Sequence, residues 1–197
     1  MLVTEGSSDS AIIRKAMPLR RPHVADFFTY VDMEQGYPFT GTGNLFRFCQ
    51  GLVHIEISNQ MIFVLDNDAA GVDVHRRIQA LALPPSIRTA TLPDLDEFRK
   101  VRTEGPSGTT WQDINGRAAS LDCYLGLPID EATVRWTSYV RSLDRYQGEL
   151  VGGTSHVRSF LGMEANEPYD YTRLDRVLET VVSEATLVAA RRDRSAA

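Results

Sequence analysis

Met61-Ile62-Phe63-Val64-Leu65-Asp66-Asn67-Asp68-Ala69-Ala70-Gly71 is the stretch that decides the fold. Five consecutive apolar residues read as a central strand buried on both faces, the habit of parallel sheets. Asp66 and Asp68 follow at its carboxyl end, the edge where open α/β sheets bind ligands. Two residues apart, both can turn toward one cation as the backbone leaves the extended state. Ala69-Ala70-Gly71 then permits a tight turn beneath them.

The same order of parts occurs near the N-terminus. Leu2-Val3-Thr4 reads as a short strand ended by Glu5, Gly6 allows a turn, and Ser7 or Ser8 can cap the helix that follows. Asp9 falls in that helix's first turn, where a carboxylate meets the helix dipole favourably. Ile12, Ile13, Ala16 and Met17 lie at helical spacing over residues 8–17, and Pro18 is expected to stop them.

Working outward, Val24–Val31 is rich in β-branched and aromatic residues and reads as a second strand. Gly36–Gly43 reads as a glycine-punctuated loop and Asn44–Gly51 as a helix. Gln60–Leu65 is the third strand. A helix over Val72–Leu83 is ended by Pro84-Pro85, and Ile87–Leu92 is the fourth strand. Strands separated by helical crossovers imply parallel pairing in a layered α/β domain. Beyond Pro93, residues 94–113 are polar and read as a surface loop around Gly105-Pro106-Ser107-Gly108. Helices are expected over Asn115–Leu125, 131–146 and 171–190. The last shows one apolar face of Leu174, Val177, Leu178, Val181, Val182, Ala185 and Val188 or Ala189, and the tail from Arg191 is expected to fray.

With 197 residues, the chain suffices for one well-buried domain plus an appendage, or for two small domains. Apolar content of 43% and charged content of 24% are ordinary for a globular protein. No apolar run reaches the roughly 20 residues of a membrane span, and no signal-peptide pattern precedes the first strand. Two isolated cysteines, Cys49 and Cys123, give neither a disulfide framework nor zinc spacing. A cytoplasmic protein is the expectation. The net charge of −5 argues against a nucleic-acid coat but not against a nucleic-acid enzyme, whose carboxylate cluster adds negative charge of its own.

Glu5, Asp9, Asp66 and Asp68, if they converge, would repel one another unless a divalent cation sat among them. Asp66-x-Asp68 is not a calcium loop, because its fifth and twelfth positions hold Ala70 and Arg77. Gly41-Thr42-Gly43 is not a dinucleotide loop, since the third glycine would fall at Phe46. No phosphate-binding P-loop is present. His23, His54, His75 and His156 share no ligand spacing, and nothing forms a Ser/His/Asp triad.

Glu5-Gly-x-x-Asp9 after a first strand, then Asp66-x-Asp68-x-x-Gly71 after a third, resembles the Toprim domain of topoisomerases, bacterial primases, recombination proteins and OLD-type nucleases. The likeness covers about residues 1–92. The wider sequence is similar to bacterial HEPN/Toprim-associated proteins at residues 2–9, 65–71, 113–119 (Asp-Ile-Asn-Gly-Arg-Ala-Ala) and 146–150 (Tyr-Gln-Gly-Glu-Leu). The resemblance implies an α/β Toprim (Rossmann-like) layered fold with a central parallel sheet of about four strands, followed by a helical C-terminal region. The corresponding division is a catalytic domain over 1–126 and a helical extension over 127–197.

It further implies Mg²⁺ or Mn²⁺ held by Asp66 and Asp68, with Glu5 as ligand or general acid/base and Asp9 assisting. OLD-type nucleases carry a further acidic motif after the fourth strand, for which Asp122 is the candidate; Asp122 could equally cap or solvate its helix. Arg117 would contact phosphate or the transition state. No tyrosine is placed as a topoisomerase nucleophile and no primase-type zinc module is present. The activity implied is therefore nuclease chemistry on nucleic acid, DNA before RNA, in defence against phage or plasmids. Related proteins carry more sequence upstream, so a non-catalytic Toprim module that regulates a partner is the rival reading. The C-terminal helical region is the expected place for a protein partner or a second copy. A generic phosphate-ligand binder is the third reading, and it leaves Glu5 and Asp9 without a task.

Overall fold

The computed structural model describes residues 1–31, 41–55, 57–106 and 108–195, with side chains as far as residue 190. The chain is α/β and folds as two compact units built from interleaved stretches. Met1–Leu65, Val74–Thr91 and Leu178–Ala197 make the first, and Asp66–Asp73 with Leu92–Val177 make the second.

The first unit is organised by a three-stranded parallel sheet. Strand β1 (Leu2–Thr4) leads into α1 (Ser7–Arg20), a helical turn α2 (Pro22–Ala25), α3 (Thr42–His54) and strand β2 (Met61–Leu65). After β2, β3 (Asn67–Asp68) and the start of α4 (Ala69–Gln79) belong to the second unit; α4 then returns the chain to β4 (Ile87–Thr91). The sheet order is β1-β2-β4, with Val3 beside Phe63 and Phe63 beside Thr89. All five residues of β2 are buried, as its unbroken apolar run predicts. Val3, Phe63 and Leu65 pack on one face with Leu45 and Cys49 of α3 and Val74 and Ile78 of α4. Leu2, Ile62 and Val64 alternate to the other face and are buried too.

Two expectations are corrected in this unit. The second strand over Val24–Val31 shrinks to its last residues: Tyr30 bridges Leu2 in parallel, the Leu2 N–H donates to the Thr29 carbonyl at 2.7 Å, and the Val31 N–H donates to the Leu2 carbonyl at 3.0 Å. Pro22, with φ already set for a helix, starts a helical turn through Ala25 instead, and Phe27 is left 81% exposed. Pro18 does not stop α1, which runs on to Arg20. Its ring lies on the exposed side, and the Arg21 N–H closes the last turn on the Met17 carbonyl at 2.7 Å. The loop expected over Gly36–Gly43 lies outside the described residues as far as position 40.

The second unit departs further from expectation. Residues 94–113 hold a hairpin of β5 (Val101–Gly105) and β6 (Gly108–Gln112), not a loop. Val101 and Thr103 are fully buried while Arg102 is exposed, an alternation that the polar composition hides. Over Asn115–Leu125 there is no α-helix but β7 (Ala118–Ala119) and a single 3₁₀ turn at Leu121–Tyr124. Residues 131–146 form β8 (Thr133–Val140), with β9 (Arg145–Leu150) following, so the region after 126 is not uniformly helical. Thr-Val-Arg-Trp-Thr-Ser-Tyr-Val is β-branched and aromatic, as strands favour. The β8–β9 turn closes at Asp144 in the left-handed region, φ 53°.

The resulting sheet runs β6-β5-β8-β9, with β5 and β8 parallel and a bulge between Trp136 and Ser138. A separate ladder pairs β3 with β7 in antiparallel fashion. Helix α5 (Gly153–Gly162) and helix α6 (Thr172–Ser195) complete the chain; the expected helix over 171–190 is present, and its Leu174, Val177, Leu178, Val181 and Val188 are buried. No helix among the described residues is long and apolar enough to cross a membrane.

Candidate functional site

Asp66, Asn67 and Asp68 leave the end of β2 and enter the second unit as the short strand β3. Each is fastened by a different segment. The Asp66 carboxylate accepts the Leu121 N–H at 3.0 Å. Asn67 donates to Asp94 at 2.7 Å and accepts the Gly116 N–H at 2.9 Å. Asp68 sits at the N-cap of α4, where its Oδ1 accepts the Gly71 N–H at 2.7 Å.

Gln147 of β9 completes the arrangement. Its Oε1 accepts the Ala70 N–H at 2.9 Å, which fixes the amide's orientation and leaves its Nε2 donating to Asp68 Oδ2. The Ala69 N–H goes to the Arg117 carbonyl at 3.3 Å. The first three amides of α4 are thereby all satisfied, as a buried helix start requires.

Asp68 is 8% exposed, and no arginine or lysine among the described residues forms an ion pair with it. Burial pushes its carboxyl above the usual range, against the opposing pull of the Gly71, Gln147 and Ala70 donors. Because both oxygens accept N–H donors, this is the bonding of a carboxylate rather than of a carboxylic acid. A carboxylate buried without a cation is costly.

Arg117 lies at a parallel bridge to Asp68. Its guanidinium stacks on the Trp136 ring, 4.5 Å from the centroid, and reaches neutral acceptors, Gln112 Oε1 and the Asp113 carbonyl, both at 3.4 Å. Its Nε is buried without a partner among the described residues. Burial, and the nearby charge of Arg145, draw it below the usual arginine range against the pull of Asp113, while it remains a cation.

Asp122 accepts the Ser120 hydroxyl at 2.6 Å, and burial raises its carboxyl above the usual range. The carboxylate packs against Gly153, the first residue of α5, so closely that no side chain would fit there. Asp122 and Asp66 both lie near the buried Cys123 thiol, which burial first and these two charges next raise well above the usual range.

The structure thus brings Asp66, Asp68, Arg117 and Asp122 into one unit, while Glu5 and Asp9 belong to the other. Asp9 reaches back to the Gly6 N–H at 3.0 Å, so it closes the start of α1. Among the described residues no three His, Cys, Asp or Glu side chains form a group able to hold a metal. Gln147 and Asp94 were not foreseen as site residues, and Asn67 entered only as the middle of the acidic motif; Gln147 falls within Tyr-Gln-Gly-Glu-Leu. A cavity of about 460 Å³ in the second unit lies elsewhere, between Leu125–Pro128 and α5, and holds none of these residues.

No protein-family model matches the chain, and neither does any curated protein or any solved structure.

Proposed function

We propose that the chain is a divalent-metal-dependent enzyme of phosphoryl transfer on nucleic acid, an endonuclease of the Toprim type. The observation that carries this is Asp68, a buried carboxylate without a cationic partner among the described residues, beside Asp66 at the carboxyl end of a wholly buried parallel strand. The parallel sheet is read as a Toprim core, with the Tyr30 bridge standing where a fourth strand would lie.

The donor set is of hard carboxylate oxygens, which Mg²⁺ and Mn²⁺ select, and each Asp68 oxygen keeps a lone pair beyond its hydrogen bond. In this reading Asp66 and Asp68 would hold the cation, although no group of three His, Cys, Asp or Glu among the described residues forms around it. When bound, such an ion polarises a phosphoryl oxygen and acidifies its water. Gln147 and the Gly71 N–H orient the Asp68 carboxylate, and Arg117 presents a guanidinium to a substrate phosphate. Glu5 enters on the sequence motif alone, as ligand or general acid/base.

A non-catalytic, metal-binding Toprim module is the second reading. It is favoured by the helix-end duties of Asp9 and Asp68, which explain two of the four motif carboxylates without chemistry. Labelled single- and double-stranded DNA and RNA, incubated with Mg²⁺ or Mn²⁺, separate the two. Cleavage that disappears in Asp66→Ala and Asp68→Ala supports the enzyme, and cleavage that persists in both overturns it. Absence of cleavage with a Mn²⁺-dependent rise in melting temperature favours the module.

A further inference from the structure

The β8–β9 hairpin carries a run of rings beside the acidic motif. Trp136 and Tyr146 have centroids 6.3 Å apart, and Tyr146 and Tyr139 meet edge to face at 5.2 Å. Tyr139 and Tyr146 are paired across the strands yet stay 47% and 46% exposed. A cross-strand tyrosine pair steadies a hairpin, but that role does not account for the cations next to it. Arg117 stacks on Trp136 at one end of the run. Arg145, adjacent in sequence to Tyr146, donates to the Gly116 carbonyl at 3.5 Å, next to Arg117 in the chain. Among the described residues neither guanidinium is paired with a carboxylate. A Cβ on Gly116 would lie 3.0 Å from Arg145 Nη1, so the glycine lets this arginine approach.

Arg117 lies over the Trp136 face with Arg145 within its electrostatic reach, and neither is ion-paired among the described residues, although Asp113 lies near Arg117 and Asp144 accepts the Tyr139 hydroxyl. Two such like charges suit a polyanion that also offers flat rings. We infer that this face is a binding platform for single-stranded nucleic acid, with bases stacking on Tyr146 and Tyr139 and a backbone phosphate bridging Arg117 and Arg145. A duplex keeps its bases stacked on one another and cannot use the rings. The inference rests on the nucleic-acid reading of the same unit and narrows its substrate to single strands.

The test is fluorescence anisotropy of short labelled single-stranded DNA, single-stranded RNA and duplex DNA with the full chain in EDTA. Binding without metal keeps this inference separate from the nuclease reading, which fails or stands on cleavage alone. Single strands are expected to bind at least about tenfold more tightly than duplex. Tyr146→Leu should weaken that binding about tenfold, and Tyr146→Phe should retain it. Arg145→Gln should weaken it and reduce the salt slope by about one. Should Tyr146→Leu not fold, Trp136 fluorescence in Trp111→Phe supplies the readout, with quenching by single strands expected. Equal affinity for duplex, unchanged binding by a folded Tyr146→Leu, unquenched Trp136, or no binding at all each overturns the inference. So does self-association of the chain that Tyr146→Leu abolishes while oligonucleotide binding is unaffected.

Discussion

Gln147 grips Asp68 and the first turn of α4 at the same time, its amide nitrogen on the carboxylate and its oxygen on the Ala70 N–H. One side chain from a late strand thus sets both the direction of a carboxylate and the start of the helix behind it. Gln147→Ala removes both bonds and leaves a buried acceptor and a buried donor unmatched, a loss of about 2–4 kcal/mol. Urea unfolding measures it. Gln147→Glu should be worse at neutral pH and recover on acidification, because it sets a second carboxylate against Asp68.

The pH dependence of stability follows from Asp68 and Asp122, both raised by burial. Between the unfolded carboxyl value of about 4 and the higher folded values, the native state holds more protons, so stability falls as pH rises through that window. The contribution of these two groups is greatest below the window, and the deficit is complete above it. Asp68→Asn should flatten this slope without abolishing it, since Asp122 remains. Thermal melts at a series of pH values check the outcome, and an unchanged slope would remove Asp68 from the account.

Asp122 and Gly153 should behave as a coupled pair. Gly153→Ala drives a methyl into the Asp122 carboxylate and is expected to cost more than the usual 1–3 kcal/mol of overpacking. Asp122→Ala makes room, so the double variant should recover part of the loss, giving a nonadditive double-mutant cycle. Additive costs would show that the contact carries no weight.

Arg173 is 8% exposed and holds the Cys123 carbonyl at 2.7 Å, the Leu127 carbonyl and Glu97 at 3.1 Å. Arg173→Ala orphans two carbonyls and should lower stability by about 3 kcal/mol in chemical denaturation. Arg173→Lys should recover only a fraction, because an ammonium cannot span three acceptors in a plane.

Much of the first unit was legible from sequence because its signals are local. The apolar run of β2, the helical spacing of Ile12, Ile13, Ala16 and Met17, and the strand–acid–helix order each depend on neighbours in the chain. Val24–Val31 misled because β-branched and aromatic content does not outweigh a proline that starts a helical turn. In the second unit the strands are short, and their pairing is set by tertiary contacts. Trp136 earns its place in β8 through Gly148, where a Cβ would come within 2.9 Å of its ring, and no window of sequence reveals that match. The acidic motif was legible as a motif, whereas Gln147 was not, because its partners lie 77 and 79 residues away.

Gln147, Arg145 and Trp136 all lie beyond residue 126, the boundary that the motif alone suggests. A fragment ending there would keep Asp66 and Asp68 yet strip Asp68 of its amide clamp and Arg117 of its stacking surface. A piece that keeps this carboxylate as the protein holds it therefore has to include β9, and a truncation before Thr133 forfeits it.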